Sequence, residues 1–156
     1  MRCTGCGAAL RDDATGCLGL YHELSVHTLS SRDPTFPHQL AVDAYAAQHA
    51  GTAPKPITTA FALIGLYLVN QRGFTGRQAQ RAHMCLGRRR QEWPRFSPPA
   101  HVGDVTVADV LGAGDAGRDE AIRRWAASVW DAWRDHHEQV AALVDDRLGD
   151  RFDRFR

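Results

Sequence analysis

Ile57-Thr58-Thr59-Ala60-Phe61-Ala62-Leu63-Ile64-Gly65-Leu66-Tyr67-Leu68-Val69-Asn70-Gln71 is the stretch whose reading decides the fold. Wound as a helix, it sets Phe61, Leu63, Ile64, Leu66, Tyr67, Leu68 and Val69 at nearly every angle around the axis. A helix that is apolar all round must be covered on every side. Its most apolar part, Ala60 to Val69, is about half the length a membrane span needs. The spacing therefore predicts the buried centre of a helical bundle. Arg72-Gly73 ends it, and Gly51 to Pro56 is the linker that leads in.

The neighbouring segments supply helices to cover it. Thr75-Gly76-Arg77-Gln78 reads as a capping box opening a helix to about Glu92. Upstream, Thr35 caps a helix with Pro37 in its first turn, which carries Leu40, Ala41, Val42, Ala44, Tyr45 and Ala46 and stops at Gly51. A first helix runs from about Thr15 to Leu29, with Leu18, Leu20, Tyr21, Leu24 and Leu29 as its apolar face; Ser30 to Pro34 breaks it. Trp93-Pro94 to Pro98-Pro99 is excluded from helix by its prolines and forms an extended arm. Thr106-Val107-Ala108-Asp109 is a second capping box before a short helix. The last helix, about Arg118 to Leu148, aligns Trp125, Val129, Trp133, Val140 and Leu143 on one stripe. No strand pattern or repeat is evident. The expectation is all-α: a single-domain helical bundle of about five helices, with a cysteine-turn loop over 1–14, the bundle over 15–148 and a tail over 149–156.

A chain of 156 residues can bury a core without disulfides. Nineteen Lys and Arg against eighteen Asp and Glu leave a net charge of +1, so no global field argues for nucleic acid or a membrane surface. Lys55 is the only lysine, and the Arg-, Ala-, Gly- and Asp-rich composition suggests a GC-rich bacterial genome. The chain opens without a charged-then-apolar leader, which makes cytoplasm the expected compartment. Four cysteines there should be reduced, so a C-x-x-C pair reads first as metal or redox chemistry.

That pair is Cys3-Thr4-Gly5-Cys6-Gly7, followed by Cys17. Two thiolates on a glycine turn are half of a tetrahedral zinc site. A short break joins the first two helices, so they should be antiparallel. Cys17 at the start of one then faces the end of the other, where His49 stands. Cys3, Cys6, Cys17 and His49 would close a structural Zn²⁺ site with no open position for water. His38, one helix length away, cannot share the ion with His49. His22 and His27 lie too far along helix one, and Cys85, amid Met84 and Leu86, reads as a buried, inert thiol. The rival readings of the pair are a redox couple, which normally needs a strand–turn–helix setting, or two idle thiols.

Val42-Asp43-Ala44-Tyr45-Ala46-Ala47-Gln48-His49-Ala50-Gly51, taken with the N-terminal C-x-x-C-G and the later helix-opening Cys17, resembles a family of small bacterial proteins classed only as a domain of unknown function. That family's pattern is V-D-A-Y-x-x-Q-H-P-G; here Ala50 replaces the proline. The stretch from Trp125 to Trp133, followed by His136-His137, is similar to its C-terminal part. The resemblance spans most of the chain. It supports grouping Cys3, Cys6, Cys17 and His49 and implies no activity.

Other residues admit chemistry. Antiparallel packing would set Glu23 opposite Asp43, as a carboxylate pair or as separate surface and anchoring residues. His136 falls on the apolar stripe of the last helix, where it could join His38 or Asp43 in a second, open metal site, or be a satisfied core histidine. His137 points to the solvated edge. Arg88-Arg89-Arg90 with Trp93 and Phe96 could meet a nucleic acid strand, but also complements a helix C-terminus, the preferred reading. The tail, Asp145 to Arg156, reads as a fraying helix end that packs loosely or meets a partner. The leading expectation is a cytoplasmic zinc-binding protein, a binding or accessory module for an unidentified small molecule or protein. The alternative is a small-molecule metalloenzyme using His38, Asp43 and His136.

Overall fold

A computed structural model describes residues 1–10 and 16–156. Among them run seven α-helices: α1 (Gly16–Ser30), α2 (His38–Gln48), α3 (Pro56–Arg72), α4 (Gly76–Leu86), α5 (Val107–Gly112), α6 (Gly114–Ala132) and α7 (His137–Leu148). Tight 3-10 turns occupy Ala50–Thr52, Arg134–His136 and Gly149–Phe155. Extended pairing among the described residues is limited to one antiparallel bridge, Arg2 with Ala9. The all-α expectation holds, but the helices number seven rather than about five. The expected start of the first helix at Thr15 lies outside the described residues.

The decisive stretch is the core. In α3, Leu63, Ile64 and Leu68 are fully buried, and the helix packs against α2, α4, α6 and α7. Pro56 sits in the first turn, where an absent N–H costs nothing. Gly73 turns the chain out at φ 69°, and the Phe74 amide closes onto the Leu68 carbonyl at 3.0 Å. Gly65 marks the closest approach of α3 to α2: a Cβ there would run into the Asp43 carboxyl group.

Both capping boxes form. The Gln78 amide donates to Thr75 Oγ1 at 3.2 Å while the Thr75 amide donates to Gln78 Oε1 at 2.8 Å. At α5 the Thr106 amide donates to Asp109 Oδ2 at 2.8 Å. α4 ends at Leu86, short of the expected Glu92. Gly87 is a poor helix former, and Gln91 Nε2 folds back to donate to the Leu86 carbonyl at 3.1 Å.

The helix expected from Arg118 to Leu148 begins earlier, at Gly114, and is broken in the middle. The Trp133 amide reaches only three residues back, to Trp130 O at 3.1 Å, and the His136 amide likewise to Trp133 O at 2.9 Å. His137 explains the break. Its Nε2 donates to the Trp130 carbonyl at 2.7 Å, and its ring lies flat on the Trp130 indole, centroids 3.7 Å apart at 7°. It is half-buried and packed, not solvated as expected. α7 recovers the inward stripe with Val140, Leu143, Val144 and Leu148.

At α2 the first turn is organised by Asp33, whose Oδ1 accepts from the Thr35 amide at 2.9 Å and its hydroxyl at 2.7 Å. Thr35 is thus held by the turn instead of capping the helix. α1 buries Cys17, Leu20, Leu24 and Thr28, a narrower face than expected, and leaves Leu18 and Leu29 exposed. The proline arm is extended as expected and packs on the bundle, with Phe96 buried and Trp93 edge-on to Phe61 at 5.1 Å. The C-terminal segment packs onto the bundle. It coils as a 3-10 turn with Phe152 against Phe74 at 5.2 Å and Arg72 over its ring at 4.2 Å.

Candidate metal centre

The N-terminal turn is built from its own backbone. The Cys3 amide donates to Ala8 O and the Gly7 amide to Cys3 O, both at 2.9 Å, and Gly7 adopts φ 78°, which a side chain would resist. Arg2 Nη1 donates to Gly7 O at 2.9 Å and braces the turn from outside. This geometry sends Cys3 and Cys6 to the same side. Cys17 enters from the first turn of α1, and His49 from the residue that ends α2. α1 and α2 pack together, so the juxtaposition expected from helix geometry is present. The four donor atoms all lie within 4.8 Å of one another.

Their spacing suits a tetrahedral ion. Cys6 Sγ and Cys17 Sγ are 3.6 Å apart, and His49 Nε2 is 3.6 Å from both Cys3 Sγ and Cys17 Sγ. Zinc–sulfur bonds of about 2.3 Å and zinc–nitrogen bonds of about 2.05 Å at tetrahedral angles imply S···S of about 3.8 Å and S···N of about 3.6 Å. A disulfide would need about 2.05 Å; all four cysteines are free thiols.

The histidine is aimed. Its Nδ1–H donates to the Tyr45 carbonyl at 2.8 Å, which leaves the Nε2 lone pair facing the sulfurs. The imidazole stacks on Tyr45 at 4.1 Å, and Tyr45 on Tyr21 of α1 at 4.3 Å, so α1 backs the ring that supports the imidazole. Gly5 completes the fit, because a Cβ there would stand 2.7 Å from His49 Cδ2. The electrostatics fit a cation as well. A hydrogen bond from Cys17 holds the Cys6 thiol down to about 4, while the same shared proton and burial push Cys17 up. Burial opposes charge on His49, yet its hydrogen bonds to Cys6, the Tyr45 carbonyl and Cys3 lift it to about 9. A metal ion takes the place of those shared protons.

The remaining candidates are scattered. His38 Nδ1 is bonded to Thr28 Oγ1 at 2.8 Å. His136 does not face the interior stripe, because the turn at Trp133–His136 changes the helical phase; its Nε2 donates to Ser97 O at 3.1 Å, beside Phe96. Asp43 is buried, whereas Glu23 is exposed on α1, so the two carboxylates do not share a proton. His38, Asp43 and His136 thus each have separate surroundings. His22 is exposed beside the Tyr21 ring, and His27 faces Asp115 at 4.0 Å. Cys85 is half-buried rather than buried as expected, and accepts from Arg151 Nη1 at 3.3 Å. Among the described residues, Cys3, Cys6, Cys17 and His49 form the one group of three or more His, Cys, Asp or Glu side chains close enough to hold an ion.

Two functional-looking side chains escaped the reading of the sequence. Gln48, 1% exposed, donates to Val102 O at 3.2 Å and Val105 O at 2.8 Å and accepts from Trp125 Nε1 at 2.9 Å. It ties α2 to the segment before α5 and to α6. His83 donates from Nε2 to Phe61 O at 2.8 Å, and Gln39 Nε2 lies 3.2 Å from its Nδ1 and 3.1 Å from Asp43 Oδ1. Burial drags His83 down to about 4 and raises Asp43 well above the carboxylate range, so it favours the neutral form of both. The spacing of the inward positions Ala79, Ala82 and Leu86 carries the signal for His83: it completes an i, i+3, i+4, i+7 face.

The chain belongs to a family of unknown function, DUF5946, whose sequence pattern matches residues 1–134. The matched span contains the four clustered ligands, Gln48 and Trp125. No curated protein and no solved structure matches the chain.

Proposed function

We propose that the chain is a zinc-binding helical module, a single domain, in which a Cys₃His site clasps the N-terminal turn to the end of α2. The observation that carries this reading is the tetrahedral spacing of three sulfurs and one imidazole nitrogen whose tautomer is already set by the Tyr45 carbonyl. Three thiols and an imidazole favour zinc over magnesium or calcium, which take oxygen ligands. With four protein ligands no position is left for water or substrate, so the ion serves the fold. The module then acts as a binding or accessory protein for an unidentified partner, in a reducing compartment such as the cytoplasm, where thiolates persist. No helix among the described residues is long and apolar enough to cross a membrane, which is compatible with that setting. An enzyme built on His38, Asp43 and His136 has no such support, since their surroundings are separate.

Metal analysis of the purified protein tests the reading. One tightly held zinc per chain is expected. Cys6→Ser or Cys17→Ser should abolish it and lower Tm, while Cys85→Ser should change neither. Purified protein that holds no zinc and takes none up, or Cys17→Ser with unaltered metal content, would refute the site. A second metal that survives Cys6→Ser and is lost in His136→Ala would favour the metalloenzyme instead.

A further inference from the structure

The arginine run at the end of α4 has no part in the metal centre, and the fold gives it company. The C-terminal 3-10 turn packs against α4. Arg151 and Arg154 thereby come to face Arg81 and Arg88 across a cleft of about 330 Å³. Met84 and Phe155 supply its apolar wall, and Cys85 lies at its floor. Sequence distance hides this arrangement, since Cys85 and Arg151 stand 66 positions apart.

Among the described residues, no carboxylate forms an ion pair with the arginines of the cleft. Arg81, Arg88 and Arg154 are exposed, and none of them takes part in the ion pairs among the described residues. Asp150 and Asp153, on the same turn as Arg151 and Arg154, pair with none of the four either. Arg151 is braced by neutral groups: it donates to Arg147 O at 2.6 Å, to Leu148 O at 3.4 Å and to Cys85 Sγ at 3.3 Å. Its guanidinium is therefore oriented without being discharged. Four cations around one concavity, in a chain whose net charge is only +1, repel one another until an anion enters. Guanidinium forks match phosphate oxygens two at a time, and a polyphosphate offers enough oxygens for several of them.

We propose that this cleft binds the polyphosphate group of a small phosphorylated molecule, with Arg81, Arg88, Arg151 and Arg154 on the phosphates and Met84 and Phe155 against the body of the ligand. The limited volume favours a compact ligand over a nucleic acid strand, which needs an extended track.

Calorimetric titration of the purified full-length chain with inorganic tripolyphosphate, at low ionic strength, tests this. Saturable binding of one tripolyphosphate per chain is expected, much tighter than sulfate. Arg88→Gln and Arg154→Gln should each weaken it roughly tenfold, the value of one lost charge-assisted contact. Both side chains are exposed, so Tm should stay put. Arg89→Gln and Arg90→Gln, outside the cleft, should leave affinity nearly unchanged. Tripolyphosphate should also slow alkylation of Cys85, read by mass spectrometry. Equal losses in all four variants would reduce the effect to net charge and overturn the site. So would sulfate binding as tightly, Cys85 alkylation unaffected at saturation, or tight binding confined to oligonucleotides.

Discussion

Gln48→Leu keeps the volume of a fully buried side chain and deletes its polar end. Three hydrogen bonds go with it: two to the carbonyls of Val102 and Val105 and one from the Trp125 indole. The two carbonyls belong to half-buried residues and can turn toward water. The indole N–H cannot, because Trp125 is 0% exposed. An orphaned buried donor costs about 1–3 kcal/mol, and each further lost bond about 1 kcal/mol before water compensates. The expected loss is therefore about 3 kcal/mol, and at 2–4 °C per kcal/mol for a chain of this size, Tm should fall by roughly 10 °C. Urea unfolding in a fixed excess of zinc is the assay, since ligand binding otherwise shifts apparent stability. A double-mutant cycle with Trp125→Phe isolates the central bond. Removing the indole should cost about 1–2 kcal/mol less in the Gln48→Leu background than in the native one. Zinc content should remain unchanged, because Gln48 touches no ligand atom. A loss under about 1 kcal/mol, or a cycle with no coupling, would refute the assignment of Gln48 as the tie from α2 to α6 and to the segment before α5.

Two further predictions address the interior. Gly5→Ala drives a Cβ to 2.7 Å from an imidazole that is stacked and hydrogen-bonded in place. Zinc affinity should drop by about 10–100-fold in competition with a chromophoric chelator, the usual cost of disturbing a ligand's support; unchanged affinity would mean the ring moves freely. The second concerns acid. His83 is depressed from 6.5 to about 4 by burial, so the unfolded chain binds the extra proton first. Its contribution to stability is complete above pH 6.5 and is lost as pH falls through about 4, on the order of 3 kcal/mol in all. His83→Gln keeps a donor for the Phe61 carbonyl without the titration, and the stability difference from the native chain should shift in its favour across that window. Asp43, raised by burial, acts in the opposite sense: its contribution is whole below the usual carboxylate range and declines as pH rises through its elevated pKa. A difference between the native chain and the His83→Gln variant that is flat from pH 7 to 4 would show that the imidazole is not desolvated as described.

Much of this architecture could be read from the chain because it rests on local rules. The all-round apolar α3, both capping boxes and the proline arm each follow from residues within a few positions of one another. The Cys₃His cluster was legible for a related reason: one short connection makes α1 and α2 neighbours, and helix geometry then brings Cys17 to His49. What stayed hidden depends on side chains substituting for backbone. The break between α6 and α7 exists because His137 takes a main-chain partner, which no periodicity reveals, and it turns His136 off the interior stripe. Gln48 and the arginine cleft depend on contacts over 77 and 66 positions, where sequence spacing carries no information, and for His83 the spacing reveals the inward face but not its partner Phe61, 22 positions away.

Gln48 and His49 stand side by side at the end of α2, and the second of them has a consequence for the chain when it is not folded. A metal bridging Cys3 to His49 closes a loop of 46 positions. For the unfolded chain to hold the ion at the same two residues it would have to close that loop, at about 4 kcal/mol by the loop-closure relation for crosslinks. Zinc would therefore choose the folded chain over the disordered one, and its contribution to stability would rise and fall with the free zinc concentration, as that of a disulfide does not.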